Sequence, residues 1–237
     1  MSAPTWPGPD PARLAFACFL LPVTVVHACY ALATAAGYLP ACVPYLDGCT
    51  SISATGRHGL AYLVFKAGIL PTAALLALFW RAAGDWLGEL GDGSERARRW
   101  VRWLGFTGAA FLVLYTVFLG HKGDFYNLMR RFGVTLYFGA SYLAVIVLVS
   151  RLERLARAGS TAVPRRLRRG LVALVTVLLA LGLGSIPVSN FVADKDPIEN
   201  AIEWVFTLLL FACYGLVGLA FRATGFRAAG RRRPTPR

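Results

Sequence analysis

With 57% hydrophobic and only 16% charged residues among 237, the chain departs from soluble domains, in which about a quarter of residues are charged. Mean hydropathy is +0.56, and apolar runs of about 18 residues or more, nearly free of charge, recur along the whole length. This pattern excludes an ordinary soluble enzyme. It predicts an all-α fold, a polytopic bundle of six transmembrane helices forming one integral membrane domain.

The first run covers about 14–38. The preceding MSAPTWPGPDPAR holds a single arginine, and the run is longer than the apolar region of a signal peptide, so it reads as a retained span. The loop at 39–59 carries Pro40, Pro44, Asp47 and two cysteines, Cys42 and Cys49. Facing an oxidising compartment, the two thiols are candidates for a small disulfide loop.

That loop ends in CTSISATGRHG, residues 49–59, which has two readings. In the first, Ser53 or Thr55 caps the next helix, Gly56 and Gly59 allow a tight turn, and Arg57 stays in water. In the second, the alternating hydroxyls of Ser51, Ser53 and Thr55 face one way from an extended segment. Beside Arg57 and His58 they would then hold a phosphate or another polar headgroup through charge-assisted hydrogen bonds.

The second run, about 60–80, contains Lys66, and a Gly- and Arg-rich connector leads to the third, about 103–120. HKGDFYNLMRR follows at 121–131, with His121 and Asp124, before the fourth run at about 132–150. A second Arg-rich connector precedes the fifth run, about 171–188, and SNFVADKDPIEN occupies 189–200. In DPIEN, Pro197 suits the first helical turn and Glu199 the positive end of the helix dipole, so a helix starts there. The sixth run, about 201–221, has Glu203 near its start, and residues 223–237 form a basic tail.

The net charge of +13 is unevenly placed. With six spans, 19 of the 25 Lys and Arg fall on the side of the termini, and six (Arg57, Lys66, Lys122, Arg130, Arg131 and Lys195) on the other. The positive-inside rule then predicts both termini cytoplasmic. Five of the six Trp (Trp6, Trp80, Trp86, Trp100 and Trp103) lie near that inner interface, where indole rings anchor well. The clusters RARRWVR, RRLRR and GRRRPTPR read as topology determinants. Their other readings are recognition of anionic headgroups and recruitment of a protein partner, for instance through Arg165, Arg166, Arg168 and Arg169. No nucleic-acid-binding motif accompanies them.

The three histidines, His27, His58 and His121, and six of the twelve carboxylates fall on the outer half of this topology. Ionisable groups at membrane depth are expensive, and their retention points to function. Lys66 and Glu203 are candidates for a pair between spans two and six. Imidazoles with a carboxylate are suitable zinc ligands, but here they come from separate segments without a spacing motif. His27, His58 and His121 are therefore weak metal candidates, and no cofactor is indicated. Cys18, Cys29 and Cys213 read as small buried hydrophobes.

Four stretches, PYLDGCTSISATG, VFKAGILPTAALLALFW, FGVTLYFGASYLAVIVLVSRL and IEWVFTLLLFACYGL, resemble in content and order the damage-regulated autophagy modulator (DRAM-like) family. That family includes the animal GPI-anchor lipid-remodelling factor and the N-terminal region of a yeast cell-wall protein that remodels such anchors. The resemblance covers about residues 14–225 and implies six transmembrane helices and a role tied to membrane lipids. Ser51, Ser53, Gly56, Lys66 and Glu203 match its motifs. The chain departs from the pattern at Ala54, where the autophagy branch has an acidic residue, and at RRFG, which lacks a histidine. Richness in Ala, Arg and Gly suggests a bacterial inner membrane.

The expectation is a membrane protein that binds or helps remodel lipids through an outward-facing polar pocket. Candidate headgroup contacts are Ser51, Ser53, Thr55, Arg57, His58, Lys66, His121, Asp124 and Glu203. The alternatives are a metal-assisted intramembrane lipid hydrolase or acyltransferase, and a non-catalytic scaffold acting through the Arg-rich loops.

Overall fold

A computed structural model describes residues 8–227. Trp6 and the tail from 228 onward, including most of the expected basic tail, lie outside the described residues. Among the described residues every regular element is helical: α1 (Pro11–Ala35), α2 (Pro44–Asp47), α3 (Ile52–Thr55), α4 (Gly59–Glu89), α5 (Glu95–Phe118), α6 (Asp124–Arg157), α7 (Arg165–Phe191) and α8 (Asp196–Ala223). The six longer helices, all but α2 and α3, have the length and apolarity to cross a membrane. Each corresponds to one of the apolar runs, with α1 and α5 ending two or three residues before the expected ends.

Several helices extend well past the runs. The 34-residue α6 is about 50 Å long, against a hydrocarbon core of roughly 30 Å. Hydropathy detects only the buried middle; backbone hydrogen bonding carries the helix on into the interface, where charged side chains find water or partners. Local signals set the starts. Asp10 accepts a hydrogen bond from the Arg13 N–H (3.0 Å) ahead of Pro11, and Ser94 accepts from the Ala97 N–H (3.2 Å) at the head of α5, both as N-caps do. Asp196 and Pro197 open α8, as DPIEN implies.

The core lies where α4 and α8 meet α1. Phe79, Trp80 and Tyr214 pack edge to face with centroids 5.0–5.8 Å apart, and Trp86 stands edge-on to Phe221 at 5.0 Å. The α5–α6 pair closes tightly because Gly133 lies against the Tyr115 backbone; a Cβ there would come within 2.7 Å of the Tyr115 nitrogen. Small residues permit such approach between membrane helices.

At the end of the bundle that holds residues 8 and 227, several arginines are tied to carboxylates. Arg151 bonds both oxygens of Asp92, which is 3% exposed. Arg102 pairs with Asp85 and Arg168 with Glu153, each at 2.6 Å. Arg168, one of the arginines considered for partner recruitment, is thus engaged within the fold.

One helix is placed differently from the rest. α7 packs mainly on α8, meets α6 only briefly, and buries just Leu171 and Leu178, both in its first half. Toward the opposite, distal end, its second half buries no residue, and Leu183 and Ile186 are more than half exposed. The gap this leaves between α6 and α8 forms the site.

Candidate functional site

The loop between α1 and α4 is built at the distal end. Cys42 and Cys49 form a disulfide, with Cα atoms 6.6 Å apart. Tyr30 Oη donates to the Cys42 carbonyl (2.9 Å) and accepts from its N–H (2.8 Å). Gly48 turns the chain with φ +57°, and a Cβ there would overlap the Pro197 carbonyl at the head of α8. From α8, Asn200 Nδ2 donates to the Gly48 carbonyl and Trp204 Nε1 to the Thr50 carbonyl, both at 2.9 Å.

So anchored, residues 52–55 form one turn of helix, so the expected extended segment is absent. Neither Ser53 nor Thr55 caps α4, while Gly59 does turn the chain with φ +52°. Ser51, rather than Ser53 or Thr55, is an N-cap: it accepts from the Ala54 N–H (3.2 Å) and caps the short α3. The α4 N-cap is His58, which makes no side-chain capping bond. A helical turn spreads side chains around its axis, so the three hydroxyls do not face one way. Thr55 is fully buried and donates back to the Ile52 carbonyl (2.7 Å). Of the three, Ser53 is the one that lines a cavity in the bundle. It touches Ser51 Oγ (3.1 Å) and accepts from an Arg57 terminal nitrogen, while Arg57 Nε donates to the Ser53 carbonyl (3.1 Å).

Ser53 and Arg57 border a cavity of about 870 Å³ between α6, α7 and α8. Each helix contributes one face. α6 provides Asn127, Arg130, Arg131, Val134, Thr135 and Phe138; α8 provides Glu199, Ile202, Glu203 and Phe206; α7 provides the small residues Gly182, Ser185 and Ser189. Spacings of three and four put each set on a single helical stripe. Tyr115 of α5 closes the back.

The walls change character with depth. α6 and α8 run inward from the distal end and α7 runs outward. The polar side chains Asn127, Arg130, Arg131, Ser189, Glu199 and Glu203 therefore gather at the mouth, and Val134, Phe138 and Phe206 lie deeper. Phe138 and Phe206 meet edge to face at 5.5 Å and form the floor.

The charges at the mouth are only partly matched. Glu199 accepts from Ser189 Oγ (2.6 Å) and lies 3.7 Å from Lys195. The half-buried Glu203 receives the backbone N–H of Ile52. Among the described residues, none of the ion pairs includes Arg57, Arg130 or Arg131. Burial, and then the nearby charge of Arg130, hold the Arg57 guanidinium below its ordinary pKa; Tyr115 and Glu203 act the other way.

Of the sequence candidates, the structure brings Ser53, Arg57 and Glu203 to this cavity. Ser51 stands behind Ser53. Lys66 does not pair with Glu203: its Nζ donates to Tyr62 Oη (2.5 Å) and to the Val117 carbonyl (3.1 Å), toward α5. His58 stacks on Tyr38 with centroids 5.0 Å apart, and His121 on Tyr126 at 5.2 Å, both exposed and off the cavity lining. Asp124, also exposed, starts α6 outside the lining.

His27 belongs to a separate aromatic cluster with Tyr45 and Trp204. Its Nδ1 donates to the Val23 carbonyl (2.7 Å), leaving Nε2 to accept from Tyr45 Oη (2.9 Å) in the neutral ring. The histidines thus keep to three tyrosines, and among the described residues no three His, Cys, Asp or Glu side chains gather as a metal-binding group. The thiols of Cys18, Cys29 and Cys213 are buried, as their apolar surroundings imply.

Arg130, Arg131, Asn127, Ser185, Ser189 and Glu199 were not among the sequence candidates. One signal for the arginines was available: Arg130 and Arg131 are an adjacent basic pair on the side that is otherwise poor in Lys and Arg. No family model, curated protein or solved structure matches the chain.

Proposed function

We propose that the protein is a lipid-binding membrane protein whose cavity accepts an amphipathic lipid, headgroup at the distal mouth and hydrocarbon toward Phe138 and Phe206. The observation that carries this reading is the gradient along one continuous cavity, from carboxylates and arginines that form no ion pair with each other to aromatic and aliphatic side chains. Pockets of about 300–1,000 Å³ suit ligands of drug size, so this one accommodates a headgroup and the first part of its chains. The exposed distal half of α7 leaves a side entrance from the bilayer. The resemblance to the DRAM-like family agrees with a lipid role. The Lys and Arg distribution supports cytoplasmic termini, with the mouth in the outer leaflet of a bacterial inner membrane.

The test is occupancy. Ser185 lines the cavity from α7 and makes only a local bond, to the Gly182 carbonyl. S185W fills the space from a helix that contributes little to the core. Lipid retained through purification and identified by mass spectrometry should fall severalfold in S185W, with monodisperse elution unchanged. Equal retention by the folded variant rejects the cavity as the lipid site.

A further inference from the structure

Arg57 and Arg130 reach one cavity from different elements, the loop before α4 and the second turn of α6. Their charges disfavour each other, and neither has a carboxylate within ion-pair distance, although five such pairs form elsewhere among the described residues. The carboxylates of the cavity have other hydrogen-bond or ion-pair contacts: Glu199 has Ser189 and Lys195, and Glu203 has the Ile52 N–H while attracting Arg57 from beyond ion-pair distance. Glu203 offsets only part of this repulsion, and an anion lying between two guanidinium groups in a partly desolvated space relieves the rest.

The form of the anion follows from the geometry. A carboxylate presents its two oxygens to one guanidinium fork. A phosphate group is tetrahedral and offers oxygens to donors on different walls. Beyond the arginines the cavity turns apolar at Val134, Phe138 and Phe206, so the group attached to the phosphate is hydrocarbon-bearing.

We infer that the cavity selects a phosphodiester lipid, its phosphate held between Arg57 and Arg130 and its acyl chains leaving beside Phe138 between α6 and α7. This rests on the lipid reading above and adds to it the identity of the headgroup. Ser53 orients Arg57 through its hydroxyl and its carbonyl. Glu203 faces the same space and selects for a hydrogen-bond donor on the far side of the phosphate, an ammonium or a hydroxyl.

The test uses the purified full chain in neutral detergent with three probes: dioleoyl phosphatidylglycerol, dioleoylglycerol with the same chains and no phosphate, and water-soluble glycerol 3-phosphate. Binding is read by native mass spectrometry on wild type, R57Q, R130Q and R130K. Charge-assisted bonds of ordinary strength predict that R57Q and R130Q each weaken phosphatidylglycerol at least about tenfold, with partial recovery in R130K. Dioleoylglycerol should bind more weakly to wild type and equally to all four proteins. Arg130 lies on α6 without an ion pair, so R130Q keeps the test open if R57Q fails to fold.

Equal wild-type binding of the two lipids, or unchanged phosphatidylglycerol binding in R130Q, overturns phosphate selection and leaves the lipid reading standing. Binding of neither lipid overturns both. Glycerol 3-phosphate binding as tightly as phosphatidylglycerol replaces the lipid with a free phosphate ester.

Discussion

The indole N–H of Trp204 in α8 donates to the Thr50 carbonyl oxygen at 2.9 Å, joining residues 154 positions apart. With the Asn200–Gly48 bond beside it, this contact carries the loop that holds Ser53 and Arg57 onto the helix that holds Glu203. The two sides of the cavity mouth therefore share one support.

W204F keeps an aromatic ring but removes the donor, leaving a buried carbonyl without its partner. The expected loss is about 1–3 kcal/mol, seen as a lower unfolding midpoint in detergent and faster proteolysis within residues 42–58. An unchanged midpoint and cleavage pattern would show that the loop is held by other contacts.

The disulfide closes a loop between positions seven apart. Chain-entropy arguments give about 2–3 kcal/mol for a ring of this size. C42S/C49S should be less stable than wild type by that amount and melt lower, and added reductant should lower the wild type toward the double variant without moving the variant. Coincident melting curves for all three conditions contradict this.

The Asp92–Arg151 pair joins the α4–α5 connector to α6, with Asp92 almost fully buried. Removing one partner leaves an uncompensated charge, so D92N or R151M alone should cost about 3–5 kcal/mol. D92L/R151M, which removes both, should be more stable than either single variant. The double-mutant cycle measured by thermal unfolding checks this; additive losses argue that the pair is not coupled.

Orientation is tested at two exposed positions on opposite ends. Leu46 is 81% exposed on the distal loop, and Ala158 is exposed after α6. The native cysteines are bonded or buried, so a membrane-impermeant maleimide reports the new thiol. L46C should react in intact cells and A158C only after permeabilisation. The reverse pattern inverts the topology and moves the cavity mouth to the cytoplasmic leaflet.

The apolar runs were legible because crossing a bilayer requires a local property, about 20 consecutive residues without charge. DPIEN was legible for a similar reason, since Pro197 and the acidic first turn act on their own helix. Cys42 and Cys49 stood out as the two cysteines of one loop. The helix ends at Glu89 and Arg157 were not legible, because backbone hydrogen bonding continues where hydropathy no longer reports.

The site divides in the same way. Sequence alone determined that this is a helical, membrane-like chain, and it singled out Ser53, Arg57 and Glu203 as polar groups near helix entrances. It had no means of separating them from Thr55, His58, Lys66 and His121, which share their side and polarity. Those four have other contacts close by: the Ile52 carbonyl, Tyr38, Tyr62 with Val117, and Tyr126. Only the tertiary structure decided that α7 leans on α8 and away from α6. That gap turns the stripes containing Arg130, Ser185 and Glu203 toward one another. Which stripes meet depends on how helices far apart in sequence pack, and no local pattern encodes it.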